Sequence, residues 1–181
     1  MNFLENVKTR AKSQCKTIVL PESLEPRMLK ATAQILAEGL AKIILIGDRT
    51  EIENMAAAEN AKIAGAIIID PINYPELNPL SEKLYELRKA KGMTLEAARK
   101  MLAENPVALG DMLVKEAIAD GMVAGAVYST ADVLRPSLQI LKTAPGVSIV
   151  SSFFVMVVPD CDFGNNGIFL FSDCALNQNP N

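Results

Sequence analysis

Between Asp120 and Gly146 the chain reads DGMVAGAVYSTADVLRPSLQILKTAPG, and this stretch constrains the fold more than any other. Met122 to Val127 is a short run of apolar and small residues, preceded by Gly121, which can end a helix. Such a run suits a buried parallel strand. Tyr128, Ser129 and Thr130 follow at once, and helical spacing then begins with Val133, Leu134, Leu138, Ile140 and Leu141. Strand, polar turn and helix make the repeating unit of an open α/β sheet, whose ligands bind beyond the carboxyl ends of the strands. Main-chain N–H groups and the helix dipole favour an anion at that place. Ser129 and Thr130 offer hydroxyls there and Arg135 a guanidinium, all suitable phosphate ligands. The same residues have a plainer reading, with Ser129 or Thr130 as a helix N-cap and Arg135 as a solvated charge. Arg135 directly precedes Pro136, which biases it away from helical backbone. That predicts a position at or near the start of the regular helix, turned towards the mouth after Val127.

Three further short apolar runs precede this one, Lys16–Leu20, Lys42–Ile46 and Ala66–Ile69, and each is followed by a turn. Pro26 suits the first turn of a helix that Gly39 can end. A second helix is expected from about Thr50 to Ala58, after Gly47-Asp48. That step could accept a phosphate, but a plain turn capped by Asp48 or Thr50 is the better reading. Helices are also predicted over Leu80–Lys91, over Leu95–Glu104 behind a Thr94 cap, and from Pro106 to about Ala119. The fold class is therefore α/β, a three-layer α/β/α sandwich with a mainly parallel sheet, plus the start of a second α/β domain. The first domain is expected over 1–145 and the second over 146–181. In the second, Ser148–Val158 and Ile168–Ser172 should pair as an antiparallel hairpin with unusually exposed apolar faces. The acidic turn between them lacks the spacing and closing Glu of a calcium loop.

Composition narrows the function. Half of the 181 residues are apolar, and the net charge is −3 with no basic cluster, which argues against non-specific nucleic-acid binding. No apolar run reaches the length of a membrane span, and the first residues do not read as an export signal, so the cytoplasm is expected. Cys15, Cys161 and Cys174 are too widely spaced for a zinc pattern. There is no His, so any chemistry must use other side chains or backbone dipoles, and no metal is required.

The segment DGMVAGAVYSTADVLRPSLQILKTAPGV resembles the signature of phosphate acetyltransferases, and the similarity extends through LYELRKAKGMT to GIFLFSDCALNQNP. One departure is Tyr128, where members often carry His or Asn. The resemblance implies acetyl transfer between coenzyme A and inorganic phosphate, with no tightly bound cofactor and coenzyme A as a substrate. It implies that Arg88 holds coenzyme A, while Ser129, Thr130 and Arg135 hold phosphate or the thioester end. The base proposed in the family belongs to a carboxyl-terminal part that this chain does not contain, so no residue here, Asp173 included, is given a catalytic role. The chain is thus expected to be an amino-terminal portion, inactive alone, of an enzyme that is a homodimer when complete. A phosphate butyryltransferase and a non-catalytic binding module are the rival readings.

Overall fold

The structure is a computed structural model, which describes residues 3–174. Residues 5–142 form one compact unit; residues 143–174, with Phe3 and Leu4, belong to another.

In chain order the helices are α1 (Phe3–Gln14), α2 (Pro26–Glu38), α3 (Arg49–Ala58), α4 (Leu77–Arg88), α5 (Leu95–Glu104), α6 (Pro106–Lys115) and α7 (Thr130–Ile140). The strands are β1 (Thr17–Leu20), β2 (Lys42–Ile46), β3 (Ile67–Ile69), β4 (Gly121–Met122), β5 (Phe153–Val157) and β6 (Ile168–Ser172). Helix boundaries follow the local chemistry. Pro26 opens α2 and Gly39 closes it at φ 66°, a left-handed cap that glycine adopts without strain. Asp48, Thr94 and Asn105 cap α3, α5 and α6 by accepting backbone N–H bonds.

The first four strands form a single parallel sheet in the order β3-β2-β1-β4. Alternate residues of each strand point to opposite faces. Val19, Ile44 and Ile46 accordingly pack with Leu84, Leu102, Leu109 and Ile140 of α4 to α7. Leu20, Ile43 and Leu45 pack on the other side with Leu29 of α2 and Ile52 of α3. Helices cover both faces, which gives the three layers expected. Gly110 lets α6 approach the sheet closely: a Cβ there would lie 2.5 Å from the Met122 sulfur and 3.2 Å from Val19 Cγ1.

The fourth strand differs from its expected extent. It covers Gly121–Met122 instead of Met122–Val127, and Val123 and Val127 are 58% and 66% exposed. The apolar run from 123 to 127 does not continue the strand because its last backbone N–H groups serve a side chain, described below. The helix predicted to reach Ala119 stops at Lys115, and Ala117 turns the chain at φ 56°.

In the other unit β5 and β6 pair antiparallel, from Phe153 opposite Ser172 to Val157 opposite Ile168. The strand expected over 148–158 is limited to Phe153–Val157. Its apolar side chains are exposed on both faces, Phe153 at 63% and Phe154 at 54%, and so is Leu170 at 67%.

Candidate functional site

The order β3-β2-β1-β4 places β1 at the point where the connections reverse direction, since β2 lies on one side of it and β4 on the other. The crevice beyond the carboxyl ends of such strands is the expected ligand position. A cleft of about 390 Å³ occupies it, with Glu22, Glu25, Asp48 and Glu51 among its lining residues.

Glu22, two residues beyond β1 and 6% exposed, dominates this end of the sheet. Its Oε2 accepts the N–H groups of Gly125 (2.9 Å) and Ala126 (2.8 Å), and its Oε1 those of Val127 (2.6 Å) and Tyr128 (2.8 Å). Burial alone would push this carboxyl up. The four backbone donors outweigh that effect and hold it below the ordinary glutamate range. Gly125, at φ 107°, supplies the backbone turn that aims the amides inward. Arg27 fixes the loop from outside, its Nη2 donating to the Ala126 carbonyl at 2.8 Å.

The amides expected to receive phosphate after Val127 are therefore filled by the protein's own carboxylate. The neighbouring helix starts are filled too. Glu25 accepts the Arg27 N–H at the start of α2, and Asp48 accepts the Glu51 N–H at 2.8 Å at the start of α3. The step at Gly47-Asp48 is thus a capped turn, as expected.

Ser129 is the N-cap of α7. Its Oγ accepts the Asp132 N–H at 3.3 Å and donates to Asp132 Oδ2 at 2.6 Å, so the hydroxyl is engaged locally. Thr130 is the exposed first residue of the helix. Arg135 is exposed and lies mid-helix, with Pro136 inside the same helix and buried. Its expected place at the helix start is corrected by this. The Ser129 cap starts the helix a turn earlier, and burial of Pro136 and Ile140 holds it together across the missing proline N–H.

Arg135 lines a second cleft of about 270 Å³ with Asn105, Tyr128, Asp132 and Gln139. Among the described residues, Ser129, Thr130 and Arg88 do not line it. The hydroxyl of Tyr128 is shifted upward by burial and then by the charges of Glu22 and Asp132, so it stays a neutral donor. Arg88 ends α4, and its Nε is enclosed with no hydrogen-bond partner among the described residues. No group of three or more Cys, Asp or Glu that could hold a metal occurs among the described residues.

Glu22 was not singled out from the sequence, where Pro21-Glu22 reads only as the end of a strand. Its signal would have been an acid placed directly after a buried strand, at the sheet end where a glycine-containing loop presents bare N–H groups.

A family model described as Phosphate acetyl/butaryl transferase matches residues 2–181. A phosphate acetyltransferase of Acetivibrio thermocellus is 54% identical over 99% of this chain and 53% of its own length. One from Thermoanaerobacterium thermosaccharolyticum is 51% identical over 100% of this chain and 54% of its own. The crystal structure of a phosphotransacetylase from Streptococcus pyogenes superposes with a TM-score of 0.89 at 36% identity, over 99% of this chain and 54% of that one. The chain spans about half the length of the curated relatives it matches. On this agreement of sequence, fold and coverage, the chain belongs to the phosphate acetyl/butaryl transferase family.

Proposed function

We propose that this chain supplies part of an acyltransferase that moves an acetyl group between coenzyme A and inorganic phosphate. In one direction a phosphate oxygen attacks the thioester carbonyl, the carbon–sulfur bond breaks, and acetyl phosphate and free coenzyme A leave. The 54% identity to a phosphate acetyltransferase over nearly the whole chain carries this reading.

Within this proposal the anion is held by side chains. Arg135, exposed in its cleft beside Tyr128 and Asn105, holds phosphate or the thioester end through a charge-assisted contact contributing about 1.5–3 kcal/mol. The orphaned Nε of Arg88 supports a role for its guanidinium at coenzyme A. Ser129 and Thr130 contribute through the start of α7, Ser129 by fixing it and Thr130 by its exposed hydroxyl. The domains are taken as 1–145 and 146–181, and the whole protein as a cytoplasmic homodimer that uses coenzyme A as substrate and needs no metal. No described helix is long and apolar enough to cross a membrane, which fits this setting.

Phosphate-dependent release of coenzyme A thiol from acetyl-coenzyme A tests the reading. The chain alone should show no turnover, and the chain joined to the remaining half of a family member should show it, with acetyl preferred over butyryl. A joined protein that is folded and inactive, or that prefers butyryl-coenzyme A, would overturn it.

A further inference from the structure

Asp111 is the one charged residue type in an otherwise uncharged face of α6, and it is 0% exposed. It lies beside a groove of about 440 Å³ between α6, β4 and α7, whose other lining residues include Val114, Met122, Val133 and Leu141. Among the described residues its hydrogen-bond partner is Ser137 of α7, whose Oγ is 3.0 Å from Oδ1 and 3.1 Å from Oδ2. That same Oγ is 2.9 Å from the Val133 carbonyl oxygen. A serine hydroxyl has one hydrogen. It cannot serve the carboxylate and the carbonyl together.

A proton on Asp111 resolves the conflict. The carboxylic acid then donates to Ser137 Oγ, and Ser137 donates to the Val133 carbonyl, so the carboxyl and the carbonyl are each served by a hydrogen. The charged neighbours do not supply an alternative. On α6 itself Lys115 is exposed one turn further along. Packed against α6 are α5, with Glu96, Arg99, Lys100 and Glu104, and α7, with Asp132 and Arg135. The third neighbour, β4, is uncharged, and Asp120 before it pairs with Lys16. No ion pair among the described residues reaches Asp111, and burial raises its carboxyl to about 7, against a smaller lowering by Ser137.

We propose that Asp111 is buried as a neutral carboxylic acid and acts as a proton-operated latch between α6 and α7. Ionisation draws the Ser137 hydroxyl off the Val133 carbonyl and leaves a charge in an apolar seam. The helix loosened in this way is the one that carries Ser129, Thr130 and Arg135. The inference concerns the chain itself and does not depend on the acyl-transfer reading.

The sign follows from linkage. The folded state keeps a proton that the unfolded chain has lost, so stability falls as pH rises from about 4 through about 7 and is level above. The chain has no His, so between pH 5.5 and 7.5 the background is unusually flat. The unfolding constant of the 181-residue protein, measured by denaturant titration, should rise towards tenfold per pH unit below neutrality. Asp111→Asn, which keeps a donor to Ser137 at every pH, should abolish that slope. An equal slope in both proteins overturns the proposal. Carbon NMR of the wild-type carboxyls decides independently of whether the variant folds. One Asp resonance should titrate near neutrality, and the amides of Val133 and Ser137 should move with it. Titration of every Asp in the ordinary acid range, or unresponsive amides in α7, would refute the latch.

Discussion

Replacing Glu22 by Gln keeps the volume of the side chain and removes half of its accepting capacity. The carboxylate receives four backbone N–H groups, two on each oxygen. A carboxamide has one oxygen able to accept two of them, and its NH2 group must face the other two donors. The variant therefore leaves two N–H groups without an acceptor in a site where Glu22 is only 6% exposed. Each such loss costs about 1–3 kcal/mol, so the variant should be destabilised by about 2–6 kcal/mol. Against a typical total of about 5–15 kcal/mol this is severe but compatible with folding. Urea unfolding followed by circular dichroism at neutral pH measures it. The same change should flatten the acid side of the stability curve. The folded carboxyl lies below its usual value, so its contribution is full above about 4.5 and is lost as pH falls through the lowered value. The amide resonances of Gly125 to Tyr128 should shift in the variant and be those most displaced. A stability within about 0.5 kcal/mol of the parent, with those four amides unmoved, would refute the account of this loop.

Arg135→Ala in the complete enzyme should raise the Michaelis constant for coenzyme A or phosphate and lower turnover. The expected cost is about 2 kcal/mol in transition-state stabilisation with an unchanged melting temperature, and Arg135→Lys should recover only part because it lacks the planar fork. Steady-state kinetics and a melting curve check both. The exposed apolar faces of β5 and β6 should make this chain associate as its concentration rises, and a clean monomer on size-exclusion chromatography at all concentrations would count against it. Gly110→Ala should destabilise the protein by about 1–3 kcal/mol in urea titration, because the added methyl meets Met122 and Val19.

The layered fold was legible because three of the strands are short apolar runs closed by turns, and helix caps such as Asp48 and Thr94 stand at fixed offsets from their helices. The fourth strand was misread for a physical reason. Apolar content alone does not distinguish a strand, whose N–H groups bond another strand, from a loop whose N–H groups bond a carboxylate. The partner that decides between them is about a hundred residues away in sequence, at Glu22. Arg135 was misplaced for a related reason. The restriction imposed by Pro136 is local, while burial of Pro136 and Ile140 against the core is not. Asp111 was not singled out from the sequence, and only the approach of Ser137 shows what it faces.

The occupied amide loop bears on where the proposed phosphate site can lie. A loop of bare N–H groups would bind an anion through backbone dipoles, with little dependence on any one side chain. Here Glu22 has taken that position, and Glu25 and Asp48 have taken the helix starts beside it. The carboxyl end of the sheet is consequently acidic, and a phosphate placed there would meet four carboxylates. Tyr128 and Arg135 share a separate cleft. There the cation is exposed, and Asp132 stands beside it. Under the proposed function, the attraction felt by a phosphate there would be set by one guanidinium offset by one carboxylate, screened by solvent. Under the proposed function such a site would be weak until further donors closed over it, and it would depend on the orientation of α7, held by the Ser129 cap at one end and the Asp111–Ser137 contact further along.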